Sequence, residues 1–118
     1  MSDVFISHSS KDADTANKVC QFLEEKGLSC WIAPRNIVPG SDWAASISTA
    51  VTSTKVFLLI YSANSADSDQ VARELSLAES KKEVFIVPYK IDETTLSGSY
   101  EYYLTGAHWI SANYAKKD

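Results

Sequence analysis

Two adjacent segments decide the fold of this chain: VFLLIY at residues 56–61 and SDQVARELSLAESK at residues 68–81. The first segment is apolar throughout, which is typical of a strand that is buried on both faces of a parallel sheet. The second segment repeats its apolar residues at helical spacing, which predicts an amphipathic helix. A buried strand followed by such a helix forms half of a right-handed crossover, so the pair predicts an α/β fold.

The rest of the chain repeats this alternation of strands and helices. Helical spacing predicts one helix that ends at Gly27 and a second helix that is capped by Ser41. Pro88 is expected to close the last of three further apolar strands, which cover residues 4–6, 28–32 and 84–87. Near the end, the pattern predicts a polar loop, a short helix and a short strand, at residues 90–99, 100–104 and 108–110. The whole pattern predicts a three-layer α/β domain.

Composition limits the classes of function. With 118 residues, of which 45% are hydrophobic, the chain has the size of one domain with a single core. The net charge of -4 argues against direct binding of nucleic acid or of acidic membranes. Without a long apolar run or a signal peptide, the protein is expected to be cytoplasmic. Cys20 and Cys30 are expected to be small core residues rather than metal ligands, since no second pair accompanies them.

Glu74 breaks the pattern of its helix. On a helical wheel it falls on the apolar side, between Leu77 and Ala78. Burial of an unpaired carboxylate is unfavourable, and such misfits concentrate at functional sites. The plainer alternative is a boundary glutamate whose carboxylate reaches water or pairs with a nearby lysine or arginine.

Ligands of doubly wound folds bind at the carboxyl ends of the strands. The loops expected at that edge are residues 7–12, 32–40, 62–68 and the turn after Pro88. The first loop contains no glycine, which argues against a P-loop enzyme or a flavodoxin. A phosphoacceptor receiver is also disfavoured, because the first loop lacks its acidic pair and the third strand does not end in aspartate. A Ser-His-Asp hydrolase is disfavoured as well, since Ser7, His8 and Asp12 are neighbours in one tight loop.

Three motifs, in order and at domain-like spacing, resemble a known family. They are DVFISHSSKD at residues 3–12, CWIAPRNIVPG at residues 30–40 followed by Trp43, and SDQVAREL at residues 68–75. This set resembles a Toll/interleukin-1 receptor (TIR) domain of the prokaryotic type, over most of the chain up to about Ile91. The resemblance implies a flavodoxin-like fold with five parallel strands in the order 2-1-3-4-5 and a single domain over residues 1–118. In that family the Pro/Gly segment at residues 33–40 is called the BB loop.

The resemblance also implies an enzymatic activity. Glu74 matches the catalytic glutamate of TIR domains that cleave the nicotinamide–ribose bond of NAD. Nicotinamide is a cationic leaving group, so a single carboxylate suffices in principle to offset the charge of an oxocarbenium-like ribose. The expected products are nicotinamide and either ADP-ribose or a cyclic isomer, and NAD is a substrate rather than a cofactor. Family members assemble through TIR–TIR contacts, often with a fused or separate sensor module, in immunity against phage.

Further substrate-binding residues follow more loosely from the same resemblance. They are Ser7, His8 and Ser9 at the nicotinamide riboside end, Trp31 and Trp43 as aromatic faces for a base, and Arg35 for the pyrophosphate. Each has a structural alternative. The two tryptophans suit core packing, Arg35 suits a solvated loop, and His8 suits a helix cap.

Two positions depart from the family pattern. Gln70 stands four residues before the glutamate, where active members often have an aromatic residue, and Asn36 follows Arg35 where aspartate is common. The chain is also short for the family, which suggests a domain from a longer multidomain protein. Two other functions therefore stay open: a noncatalytic adaptor that acts through TIR–TIR contacts, and a domain that binds NAD or a related nucleotide without turnover. The replacement Glu74→Ala separates catalysis from both.

Overall fold

The computed structural model describes residues 2–107 and 109–111 of the chain. Within these residues there are five strands, β1 to β5, which comprise Val4–Ser7, Cys30–Ile32, Val56–Tyr61, Phe85–Lys90 and Ile110–Ser111. The α-helices α1 to α5 comprise Ala13–Glu25, Trp43–Ser53, Ala63–Ala66, Asp69–Glu79 and Gly98–Leu104, and a 3-10 turn at Ser10–Asp12 precedes α1. None of these helices is both long and apolar enough to cross a bilayer.

All five strands are parallel and form one sheet in the order β2-β1-β3-β4-β5. This confirms the predicted flavodoxin-like α/β fold and its strand order. From β1 the chain first moves outward to β2 and then returns to the other side of β1, where β3 lies. The direction reverses between β1 and β3, so the loops that follow these two strands flank the crevice where such folds bind ligands.

The two faces of the sheet are covered unequally. Helices α2, α4 and α5 pack on the face that carries Phe57 and Leu59, whereas α1 packs on the face that carries Ile6 and Ile60. Right-handed crossovers explain this, because the steps from β2 through β5 run in one direction and the step from β1 to β2 runs in the other. Strand β4 was expected to be buried on both faces, but Phe85 at its start is 61% exposed.

Strand β4 also corrects the expectation that Pro88 ends the fourth strand. The strand continues through Pro88 to Lys90. The amides of Phe85 and Ile91 donate to carbonyl oxygens at Lys55 and Tyr61, which places the odd-numbered amides of β4 toward β3. The ring nitrogen of Pro88 therefore faces the β5 side, where pairing involves only residues 89 and 90 of β4. Pro88 costs the sheet no hydrogen bond at this position.

Three other local predictions need revision. Asp42, rather than Ser41, caps α2, because its side chain accepts a hydrogen bond from the amide of Ala45. The serine-rich segment after β3, predicted to be a loop, contains the short helix α3. The final strand was predicted at residues 108–110 and is found at Ile110–Ser111. His108 lies outside the described residues.

Candidate active site

Glu74 lies in the middle of α4, on the side of the helix that faces the sheet. Ser68 begins this helix as its N-cap, where its hydroxyl accepts a hydrogen bond from the amide of Val71. The helix buries Val71 and Leu75 against the core, and this packing carries Glu74 inward until only 8% of it is exposed. The position inferred from the helical wheel is therefore confirmed.

Two neutral side chains hold the Glu74 carboxylate. The hydroxyl of Ser7, at the carboxyl end of β1, donates to Oε1 over 2.6 Å, and Nε2 of Gln70 donates to Oε2 over 3.2 Å. Neither of the two ion pairs found within the described residues involves Glu74. Burial raises the pKa of the Glu74 carboxyl above its ordinary value of 4.5, and the hydrogen bonds from Ser7 and Gln70 only partly oppose this shift. The pairing with a lysine or arginine that the plainer alternative allowed is not found within the described residues.

Glu74 lies where two cavities meet. One cavity of about 270 Å³ lies beneath the loop after β2, and its lining includes His8, Ala33 and Pro34. The other, of about 290 Å³, lies between α2 and α4, and its lining includes Ser48 and Arg73. Both cavities share three lining residues, which are Trp43, Gln70 and Glu74. An elongated ligand can therefore pass the carboxylate and extend to either side of it.

Of the predicted substrate-binding residues, the structure brings Ser7, His8 and Trp43 to Glu74. The ring of His8 bridges two loops, since Nδ1 lies 2.8 Å from the carbonyl oxygen of Ser9 and Nε2 lies 3.3 Å from that of Ala33. These contacts hold the ring in place as a wall of the cavity beneath the loop after β2. Trp43 is 53% exposed at the start of α2, so it offers an open aromatic face rather than a core contact.

Trp31 and Ser9 lie away from the carboxylate. The Trp31 ring stacks on Phe5 with 5.1 Å between centroids and 9° between ring planes. It lines a larger cavity of about 550 Å³ beside α2, which does not include Glu74. The hydroxyl of Ser9 accepts from the amide of Lys11 and caps the 3-10 turn. Both contacts suit packing and turn formation.

Arg35 also points away from Glu74, toward α1. Its guanidinium donates to both carboxylate oxygens of Glu24, over 3.0 and 2.7 Å, and to the carbonyl oxygen of Cys30 over 2.9 Å. Asn36 accepts from the amide of Ile32 over 3.0 Å and returns a bond from its own amide to the Ile32 carbonyl. Together the two residues cap the outer edge of β2. Asn36 uses only its side-chain oxygen as an acceptor here, so it does what an aspartate would do.

Asp12, which the sequence analysis considered only as a member of a disfavoured Ser-His-Asp triad and of the first motif, has a structural role. It is buried, and it accepts from the hydroxyl of Ser62 over 2.6 Å and from Nδ2 of Asn64 over 2.9 Å. These bonds join the loop after β1 to the loop after β3 across the switch point. The only signal in the sequence was the abundance of serine and asparagine after the third strand.

One group of side chains within the described residues combines potential metal ligands: Cys20, Glu24 and Cys30, whose ligand atoms lie within 4.8 Å of one another. The Glu24 carboxylate is already held by Arg35. Burial raises the pKa of the Cys20 thiol, and it raises that of Cys30 to about 12, which opposes formation of the thiolates that a metal requires. The arrangement favours packing over metal binding.

The family follows from the match of the whole chain. A sequence profile of the TIR domain matches residues 4–118. The chain belongs to the TIR-domain family. No curated protein sequence matches this TIR domain at a significant level.

Solved structures with the same fold include TIR domains of animal and resistosome proteins. The TIR domain of the Toll-related receptor TRR-2 from Hydra magnipapillata superposes with a TM-score of 0.81 at 19% identity, over 94% of this chain and 84% of that one. The TIR domains of the activated Roq1 resistosome, which directly recognises the effector XopQ, give 0.73 at 22% identity, over 89% and 69%. A TIR-STING receptor from C. gigas in complex with 2',3'-cGAMP gives 0.79 at 22% identity, over 94% of this chain and 35% of that receptor. At these identities the likeness establishes the fold.

Proposed function

We propose that this TIR domain cleaves the nicotinamide–ribose bond of NAD, with Glu74 as the catalytic carboxylate. The observation that carries the proposal is the position of Glu74, which is buried, held by neutral donors and placed where two cavities meet. Because Glu74 forms no ion pair within the described residues, its negative charge is available to a substrate. Fixed charges in a site of low dielectric act more strongly than they do in water.

The chemistry needs few groups. As the bond between nicotinamide and C1' of the ribose breaks, its electron pair leaves with the ring and nicotinamide departs neutral. Positive charge then develops on the ribose, and an ionised Glu74 stabilises it. Ser7 and Gln70 hold the two carboxylate oxygens in place before substrate arrives, so little reorganisation remains for the reaction itself.

The acceptor of the ribosyl group decides the product. Attack by water gives ADP-ribose, whereas attack by an atom of the same molecule gives a cyclic isomer. Both outcomes belong to the proposal, as NAD nucleosidase or ADP-ribose cyclase activity, and the chain uses NAD as its substrate.

Self-association is part of the proposed activity. The BB loop at residues 33–40 forms one wall of the cavity that His8 and Glu74 also line. Val38 in this loop is 67% exposed. Trp43, at the mouth of the same cavities, is also exposed. A second TIR domain packed on this edge would close the site and exclude water. We therefore propose an assembly-activated enzyme of cytoplasmic innate immunity, such as defence against phage, controlled by a fused or separate sensor module.

The test is release of nicotinamide from NAD as a function of protein concentration, with and without a crowding agent. We expect the rate to rise more steeply than the concentration, and chromatography of the products will identify the linear or cyclic form. The variant Glu74→Gln should assemble, as judged by light scattering, without releasing nicotinamide. Equal rates for this variant and the parent protein would refute the proposal.

A noncatalytic adaptor is the second candidate, and Gln70 is the observation that favours it. This amide occupies Oε2 of Glu74 from the position where active family members often have an aromatic residue. In an adaptor, Gln70 would satisfy a structural glutamate. Assembly of the parent protein without nicotinamide release at any concentration would establish this function and remove the first.

A further inference from the structure

Arg73 is a cation next to Glu74 on α4 that forms no ion pair within the described residues, although its charge slightly opposes the rise in the Glu74 pKa. It is exposed on α4 and lines the cavity between α2 and α4 together with Glu74. The two ion pairs within residues 2–107 and 109–111 join Arg35 to Glu24 and Lys55 to Asp3, so Arg73 belongs to neither. Arg35, the cation expected at the pyrophosphate, is instead fixed on α1 and the edge of β2.

The two cavities around Glu74 differ in character. The cavity beneath the BB loop is walled by the His8 ring and by apolar groups of Ala33 and Pro34, which suits a flat aromatic ring such as nicotinamide. The cavity between α2 and α4 has the Ser48 hydroxyl and the Arg73 guanidinium in its lining, which suits phosphate oxygens. A substrate whose reacting bond lies at the shared carboxylate can extend into both cavities. Its nicotinamide ring then occupies the cavity beneath the BB loop, and its phosphate groups occupy the cavity between α2 and α4.

We propose that Arg73 binds the phosphate groups of the substrate in the cavity between α2 and α4, and that Arg35 does not. This inference rests on the proposed function. It assigns the cavity between α2 and α4 to the phosphate groups of a nicotinamide nucleotide. In a chain whose net charge is -4, a local cation favours the approach of an anionic substrate to this cavity. Ser48 adds a neutral donor on the facing helix.

Binding tests this inference without requiring turnover. Calorimetric titrations of the Glu74→Gln variant with NAD and with nicotinamide riboside, which has no phosphate, serve as the reference. Adding Arg73→Gln should weaken NAD binding about tenfold, the loss expected for a hydrogen bond to a charged group, and leave riboside binding unchanged. Adding Arg73→Lys should restore most of the affinity for NAD. Because Arg35 holds the BB loop, the matched change Arg35→Gln should affect NAD and riboside binding alike, and less than Arg73→Gln affects NAD binding.

Three results would overturn the inference. One is NAD affinity that does not respond to Arg73→Gln. Another is equal weakening of NAD and riboside, because Arg73 would then act through the charge of the site rather than on phosphate. The third is a loss of NAD affinity on Arg35→Gln that matches or exceeds the loss on Arg73→Gln.

Kinetics of the otherwise unmodified protein separate this inference from the proposed function. Arg73→Gln should raise KM for NAD about tenfold while kcat stays nearly constant, since the contact exists in both ground and transition states. If KM and kcat for NAD are unchanged by Arg73→Gln, the proposed function stands and the phosphate site at Arg73 is refuted. NAD binding that depends on Arg73 in a protein without turnover would keep the phosphate site and remove catalysis.

Discussion

Glu74 and Arg35 both carry charges near the carboxyl edge of the sheet, yet the fold places them in opposite situations. Glu74 is buried and contacts only neutral donors, whereas the Arg35 side chain is 46% exposed and forms a bidentate ion pair with Glu24. The charge of Arg35 is committed to holding the BB loop on α1 and β2. Glu74 forms no ion pair within residues 2–107 and 109–111, so packing of α4 must offset the free-energy cost of burying its carboxylate.

The same contrast appears in the two glutamates, Glu24 and Glu74. The hydrogen bonds from Arg35 lower the pKa of Glu24, whereas burial raises the pKa of Glu74. Ionised Glu24 therefore stabilises the folded chain, and ionised Glu74 destabilises it. A carboxylate that the fold would be more stable without is a better candidate for function than one that the fold uses. The predictions below test this difference, from the largest expected effect to the smallest.

The largest effect concerns NAD cleavage. Glu74→Gln should lower the rate of nicotinamide release by about a hundredfold or more, since it removes the negative charge that faces the developing cation. Glu24→Gln is the matched control and should leave the rate nearly unchanged. Both rates are measured on assembled protein at equal concentration. Similar losses in the two variants would show that the comparison has no bearing on catalysis.

The next effect concerns the hydroxyl that holds Glu74. Ser7→Ala should lower kcat/KM about tenfold, because it removes a short bond to a charged group. It should also raise the pKa of Glu74 further above 4.5, so the acid limb of the pH–rate profile should move to higher pH. The control Ser9→Ala removes only the cap of the 3-10 turn and should leave the profile in place. An acid limb that Ser7→Ala does not move would separate this profile from Glu74.

The third effect concerns stability. Because the folded-state pKa of Glu74 is raised, its contribution to stability is greatest below the unfolded value and is lost as pH rises through the folded value. Glu74→Gln should therefore increase the free energy of unfolding by about 1 kcal/mol near neutral pH. The gain should vanish below the ordinary value of 4.5. Urea unfolding near neutral pH and below pH 4.5 measures this gain in stability. A variant that is less stable than the parent protein near neutral pH would contradict a raised pKa of Glu74.

The smallest effect has the opposite sign. Glu24 has a lowered folded-state pKa, so its contribution is present above its ordinary value of 4.5 and is lost as pH falls through the folded value. Glu24→Gln should slightly lower the midpoint of thermal unfolding near neutral pH, and high salt should reduce the difference because the pair is exposed. Arg35→Gln should behave alike. An effect that persists unchanged in strong acid would mean that packing, rather than the ion pair, is lost.

The fold was predictable because its signals are local. Apolar strands alternate with helices at fixed spacing, and right-handed crossovers leave few ways to assemble them. The errors at Pro88 and Ser41 arose where the outcome depends on tertiary structure. Pro88 reads as a strand end in sequence, but the side of the strand that its nitrogen faces depends on the pairing of β4 with β5. Ser41 and Asp42 are both good caps, and only the path of the chain into α2 chose Asp42.

The candidate site was predictable only in part. Glu74 stood out because helical periodicity marks any residue that falls on the wrong face. Arg35 and Trp31 share the motif of Trp43, yet they contact Glu24 and Phe5 instead of the cavities beside Glu74. Nothing local distinguishes a cation that meets a substrate from a cation that caps a strand edge. Arg73 was not named as a site residue because it lies on the polar side of its helix, where charges are common.

The amino-acid sequence by itself determined the order of strands and helices, the parallel sheet and the place of one carboxylate on an apolar helix face. These features follow from periodicity and chain connectivity, which act over a few residues at a time. Only the tertiary structure decided which charges are paired, which loops meet across the switch point and where the cavities lie. Those outcomes depend on contacts between residues far apart in the chain, such as Ser7 with Glu74 and Asp12 with Ser62, whose distances no local pattern encodes.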